Sequence, residues 1–194
     1  MEPQTDELRW IESAVRGNHE AFARLVDAYK APVYNLAYRM LRSAPEAEDA
    51  AQEIFLRAYT KLATYDRERK FSTWLLSIAS NYCIDVLRRR RATLVELDEV
   101  AFAVPSSAPG PESSALDHEQ REAVARAISQ LPDTYRLITV LRYYHDLSYE
   151  EIERITNLSQ STVKTRLFRA RRQLEELLEA EGALPWIAEQ RTHA

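Results

Sequence analysis

Residues 162–172 carry five basic side chains (Lys164, Arg166, Arg169, Arg171, Arg172) and no acid. On a helix advancing about 100° per residue, Val163, Leu167, Ala170 and Leu174 share one side and fasten it to a core. Ser161, Thr165, Phe168, Arg169 and Arg172 then face outward. Guanidinium forks suit phosphates and guanine edges, and an outward Phe168 suits a thymine methyl or a sugar. The competing reading is a solvated charged helix, with Glu175, Glu176 and Glu179 paired to Arg171 and Arg172 and Phe168 covering a neighbour. A second group lies in 65–91, where aromatics, hydroxyls and bases mingle from Tyr65 through Arg67, Arg69, Lys70, Phe71, Ser72, Thr73 and Trp74 to Asn81 and the run Arg88–Arg91. Unstacked bases need aromatic walls, polar groups for their edges and cations for their backbone. Against this, Phe71, Leu75, Ile78, Tyr82 and Val86 share a helical face that reads as core, with Trp74 at its margin. The arginine run also suits a solvated helix end. A third group follows if one helix buries Ala47, Ala51, Ile54, Ala58 and Leu62: Asp49, Gln52, Glu53, Leu56 and Thr60 are left outside, as on a protein-docking surface. A single exposed leucine is also ordinary.

These groups need helices to hold them. Apolar periodicity is helical throughout, and no alternating run bounded by turn residues reads as a strand. Helices are predicted near 5–16, 19–29, 32–42, 45–64, 72–91, 114–130, 133–144, 149–156 and 160–180. Asn18 caps the second, Pro45 suits a first turn, and Ser148-Tyr149-Glu150-Glu151 forms a capping box. A short capped helix, a polar turn and a second helix over 147–172 make a helix-turn-helix. Three prolines in Val104–Pro111 mark a linker. The expected fold is therefore all-α: two helical domains joined by a flexible linker, the C-terminal one containing the helix-turn-helix.

Composition removes other classes. Three glycines, Gly17, Gly110 and Gly182, are too far apart for a phosphate-cradling loop. One cysteine (Cys83) and four scattered histidines provide neither an intrachain disulfide nor metal spacing. The start is acidic and no apolar run is membrane-length, so a soluble, cytoplasmic protein without membrane insertion is expected. The net charge of −4 conceals an uneven distribution: 15 bases against 13 acids in 1–91, none against six in 92–119, and 11 against 11 in 120–194. The two ends can thus carry local basic faces despite the acidic total.

The motifs Asp49-x-x-Gln52-Glu53-x-Phe55, Phe71-Ser72-Thr73-Trp74-Leu75, Asp85-x-Leu87-Arg88-Arg89, Leu131-Pro132, Leu147-Ser148-Tyr149-Glu150-Glu151-Ile152 and Thr162–Arg171 stand in an order, over about 18–180, that resembles the extracytoplasmic-function sigma factors of bacterial RNA polymerase. The resemblance implies a region 2 domain (1–91) for polymerase binding and promoter melting, an acidic Pro/Ser linker (92–115) threading the polymerase interior, a region 4 helix-turn-helix domain (116–180) and a tail (181–194). It departs from the family pattern at Asn18, which stands where an aspartate is usual, and in the tail.

Combined with the residue reading, it implies polymerase contacts at Asp49, Gln52, Glu53, Phe55 and Leu56. It implies start-proximal (−10) DNA contacts at Arg67, Lys70, Phe71, Ser72, Thr73, Trp74, Asn81, Arg88 and Arg89. Distal (−35) contacts are expected at Ser161, Thr162, Lys164, Thr165, Arg166, Phe168, Arg169 and Arg172. The implied partners are core RNA polymerase, promoter DNA and an anti-sigma factor; no cofactor, metal or catalytic residue is expected. Two other readings stand beside this one. A helix-turn-helix regulator would use the N-terminal half as a sensor. A metal-dependent nuclease would need Glu46, Glu48, Asp49 and Glu53 to converge, whereas they spread around a helix.

Overall fold

A computed structural model describes residues 3–96 and 115–181, and side chains from Asp6 to Thr93 and from Glu119 to Glu181. The helices are α1 (Pro3–Val15), α2 (His19–Leu41), α3 (Ala44–Lys61), α4 (Phe71–Glu96), α5 (Ala115–Gln130), α6 (Asp133–Tyr143), α7 (Tyr149–Thr156) and α8 (Gln160–Ala180), with a 3-10 turn over Leu62–Thr64. They form two compact units, one built on α1–α4 and the other on α5–α8.

In the first unit α2 packs against α1, α3 and α4. Asn18 caps α2 by accepting from the Ala21 amide at 3.1 Å. The sequence predicts a break before Pro32, but the helix runs unbroken through the proline. A proline inside a helix costs about 3 kcal/mol. Burying each large apolar side chain recovers about 1.5–3 kcal/mol, and Leu25, Val33, Leu36 and Met40 are fully buried on both sides of it. Ser43 caps α3, with Pro45 in its first turn. Its buried face is Ala47, Ala50, Ile54, Phe55 and Ala58, so Ala50 and Phe55 take the place expected for Ala51.

The buried face of α4 is also rotated from the expected one. Phe71 and Leu75 are in the core as predicted, but Leu76, Ala79 and Cys83 complete it, while Ile78, Tyr82 and Val86 are only half-buried. Small residues at the contact let the helix axes come close, and a pattern weighted by bulk overlooks them. The helix ends at Glu96, inside the segment expected to be linker. Ala115, at the other end of that segment, already belongs to α5; residues 97–114, including Asp98, Glu99 and Glu112, and the tail beyond Glu181 lie outside the described residues.

In the second unit, α8 packs on α5 and α6. Ser148 and Glu151 form the full capping box of α7: the Glu151 amide donates to Ser148 Oγ at 3.2 Å, and the Ser148 amide to Glu151 Oε2 at 2.9 Å. Asn157 ends α7 in the left-handed region (φ 55°), a conformation asparagine tolerates better than most residues. Ser159, two residues later, caps α8. Short polar residues therefore end α7 and begin α8 at the turn between them.

Candidate nucleic-acid and protein interfaces

On α8, Val163, Leu167 and Ala170 are buried. With that side fixed, Ser161, Lys164, Thr165, Phe168, Arg169 and Arg172 are exposed, Phe168 by 67%. A phenylalanine that open to water has no packing role within its own unit. Thr162 and Arg166 are half-buried. The Thr162 hydroxyl lies 2.8 Å from the capping Ser159 Oγ, at the first turn of α8. One ion pair on the helix is Arg172 with Glu176 at 3.3 Å. Among the described residues no acid pairs with Arg166, Arg169 or Arg171.

A second feature of this face was not read from the sequence. The Tyr149 ring, at the start of α7, has the Arg142 guanidinium 5.5 Å from its centroid and the Lys164 ammonium 5.5 Å from it. Arg142 also donates to the Leu147 carbonyl at 3.0 Å. Two cations and a tyrosine thus gather at a helix N-terminus, where the aligned amides favour an anion. They come from three elements, and only the capping box hinted at the junction.

In the first unit the expected docking residues lie along α3. Asp49, Gln52 and Leu56 are exposed, Leu56 by 59%, and Glu53 is half-buried with its carboxylate taking a bond from Arg57 Nε at 2.8 Å. Phe55 is buried, yet it floors an open groove between α2 and α3 together with Phe22, Val26 and Tyr59, and Leu56 and Gln52 form its edge. The groove is mainly apolar and bordered by Asp27 and Lys30, themselves paired at 2.9 Å. This is protein-binding geometry: an apolar floor inside a charged rim. The carboxylates considered for metal catalysis do not converge, for Glu46 is held by Arg90 and Glu53 by Arg57. Among the described residues no group of three or more His, Cys, Asp or Glu side chains could hold a metal.

The second group of the first unit divides between surface and core. Arg67, Lys70, Asn81, Arg88 and Arg89 are exposed, and Ser72 and Trp74 are half-buried. Phe71 and Thr73 are buried, at 2% and 7% exposure, so neither offers its side chain to a ligand on the surface. Thr73 lies about 200° round the helix from Phe71, on a second buried side that it shares with Leu76 and Ser80, so α4 is covered over much of its circumference here. Phe71 instead supports an aromatic cluster, with the rings of Tyr29, Tyr65 and Trp74 at 5.3, 5.4 and 5.4 Å.

A cleft beside this cluster is lined by Trp10, Tyr29, Tyr65, Arg67, Lys70 and Ser72, with Glu7 at its border. Tyr29 donates to Glu7, and burial together with that carboxylate pushes the phenol up, so it stays a neutral donor. Arg67 donates to Glu12 at 2.8 Å and Arg69 pairs with Asp66 at 3.1 Å. Cys83 is fully buried and its thiol is pushed up to about 12 by burial, which leaves it an inert packing group.

Residues 25–93 match the Sigma-70 region 2 family model and residues 121–174 the Sigma-70, region 4 model. The chain is 40% identical over 176 residues to the ECF RNA polymerase sigma factor SigW of Bacillus subtilis, spanning 87% of this chain and 94% of that one. It is 33% identical over 183 residues to the ECF RNA polymerase sigma-E factor of Escherichia coli K12, covering 90% and 95%. Among solved structures, CnrH in complex with the cytosolic domain of CnrY aligns with a TM-score of 0.67 at 27% identity, over 90% of this chain and 97% of that one. No helix among the described residues is long and apolar enough to cross a membrane.

Proposed function

The chain belongs to the extracytoplasmic-function sigma factors of bacterial RNA polymerase, and on that premise we propose how its residues divide the work. It binds core polymerase, recognises the −35 and −10 promoter elements and opens the duplex to start transcription. The groove between α2 and α3, with Asp49, Gln52, Glu53 and Leu56 on its α3 side, takes the polymerase. Phe55 forms the floor. The cleft beside Tyr65 and the exposed side of α4 hold the melted strand, through Arg67, Lys70, Ser72, Trp74, Asn81, Arg88 and Arg89. Phe71 and Thr73 fix that surface from below. The outward side of α8 reads the distal element through Ser161, Lys164, Thr165, Phe168, Arg169 and Arg172. Thr162 and Arg166 shape its edges, and Arg142 and Tyr149 extend it to a phosphate.

The domains follow the same lines: 1–91 for region 2, 92–115 for the linker, 116–180 for region 4 and 181–194 for a tail. None of these tasks requires bond chemistry, a metal or a cofactor. Work with core polymerase puts the protein in the cytoplasm. An anti-sigma factor is a further partner on this reading; CnrH, which this chain resembles, was solved in complex with the cytosolic domain of CnrY.

One observation carries this reading: a single chain offers both an apolar groove with a charged rim and a basic helix face on which Arg166, Arg169 and Arg171 pair with no acid among the described residues. A regulator acting alone would have no use for the first. Transcription in vitro with core enzyme on a pooled promoter library tests it, beside a gel shift on free duplex. Core-dependent transcripts are expected, together with weak binding to free duplex. Tight specific binding of free duplex without transcription would turn the reading to a conventional regulator.

A further inference from the structure

Two arginines join α3 to α4, one at each end of α3. Near its C-terminal end, Arg57 places its guanidinium 4.7 Å from the centre of the Tyr82 ring on α4 while bonding Glu53. At its N-terminal end, Arg90 of α4 pairs with Glu46 in the first turn of α3 and donates from Nη1 to the Leu41 carbonyl at 3.2 Å. That carbonyl belongs to the last turn of α2, where such groups lack helical partners. Arg88 and Arg89 next to it are exposed, whereas Arg90 is half-buried and turned inward. In a run of four arginines, this one has both of its terminal nitrogens engaged by other helices.

We infer that Arg90 is a positioning residue that holds the docking helix α3 in register with the promoter-facing helix α4, so that seating α3 on polymerase also places α4 for strand capture. This rests on the division of work proposed above. An ammonium would not substitute, because one point charge cannot span the Leu41 carbonyl and the Glu46 carboxylate as a planar fork does. A DNA-contacting arginine would behave otherwise: lysine would serve a phosphate nearly as well, and losing Glu46 would free the arginine.

The test compares Arg90→Ala, Arg90→Lys and Glu46→Ala in the full chain, assembled with core enzyme on a promoter that the wild type transcribes. Circular dichroism confirms folding at the assay temperature. All three variants are expected to bind core enzyme within about twofold of wild type yet slow open-complex formation by about fivefold or more, the usual range for contacting groups that act together. Hydrogen exchange in the first turn of α3 is expected to quicken in each.

Wild-type behaviour for Arg90→Lys and Glu46→Ala, with a salt-dependent loss only in Arg90→Ala, would overturn the inference in favour of a phosphate contact. Lower melting temperatures with unchanged opening rates would overturn it in favour of a purely stabilising pair. Each variant is measured against wild type. Failure of the wild type itself would instead count against the proposed division of work, so the two fail separately.

Discussion

The two units expose similar numbers of basic side chains but hold them differently. In the first, Arg67 is paired with Glu12, Arg69 with Asp66, Arg88 with Asp85 and Arg90 with Glu46. On α8, Arg172 is paired with Glu176, but Arg166, Arg169 and Arg171 pair with no acid among the described residues, and the Lys164 ammonium lies 5.5 Å from the centre of the Tyr149 ring. On the division of work proposed above, α8 would meet DNA with most of its arginines unpaired as folded, whereas the surface of the first unit would exchange internal partners for phosphates. Composition does not reveal this, since 1–91 is the more basic half by count; the pairing decides which cations are available.

The largest contrast is expected between two phenylalanines. Phe71 is 2% exposed and Phe168 67%. Replacing Phe71 with alanine should destabilise the first unit by about 3–5 kcal/mol, the range for emptying an aromatic core site. Phe168→Ala should leave stability within about 0.5 kcal/mol. It should instead weaken binding to the distal element. Denaturant unfolding and promoter binding on both variants measure the contrast, and a comparable stability loss in Phe168→Ala would show that this ring packs after all.

The next effect concerns the groove on α3. Leu56→Asp should lower affinity for core polymerase by about 2 kcal/mol, roughly thirtyfold, because it sets an unpaired carboxylate at the apolar edge of the groove, where the partner would have to bury it. Asp49→Lys on the same side should act in the same direction. Both should leave the melting temperature nearly unchanged. An unaltered affinity in a pull-down with core enzyme would remove the docking role from α3.

These contrasts also show what could be read from sequence. The α8 face was legible because one helix supplies both its buried stripe and its exposed one, and the caps at Asn18 and Ser148 were legible because their partners lie three residues away. The break expected at Pro32 followed a sound local rule that tertiary burial outweighed. Ala50, Ala79 and Cys83 were missed because small side chains carry little apolar weight and yet decide how closely helices approach. What sequence could not reveal were the distant pairs: Glu7 with Tyr29 across 22 residues, Glu46 with Arg90 across 44, and Glu12 with Arg67 across 55. No local period encodes them. They determine which arginines of the candidate site are engaged, so the site's residue types were readable while its state of charge pairing was not.

A smaller and sharper effect is expected on α8. Arg169→Ala should cost about 1–3 kcal/mol of promoter binding and relax preference at one base position if the arginine grips a base edge. A phosphate contact would weaken all sequences alike. Binding to a panel of single-base variants distinguishes the two, and no change in either affinity or preference would mean that α8 presents another face.

The smallest effect bears most directly on the pairing difference. Glu12 and Arg67 meet at the surface with side chains about half exposed, at 44% and 54%. Such pairs contribute about 0–1 kcal/mol, so Glu12→Gln should not disturb the fold. It should nonetheless tighten capture of a single-stranded start-proximal oligonucleotide by the holoenzyme, because Arg67 no longer has to leave a carboxylate to meet a phosphate. The gain is bounded by the same energy, about fivefold at most, and should shrink between about 50 mM and about 200 mM salt. A tighter complex has a second possible cause, since removing any acid near DNA relieves repulsion. Pairing the change with Arg67→Ala separates the two. If Glu12 acts by occupying Arg67, Glu12→Gln has no effect once Arg67 is gone. If it acts by repulsion alone, the gain persists in the Arg67→Ala background, and the melting surface would then differ from α8 only in how much acid surrounds it.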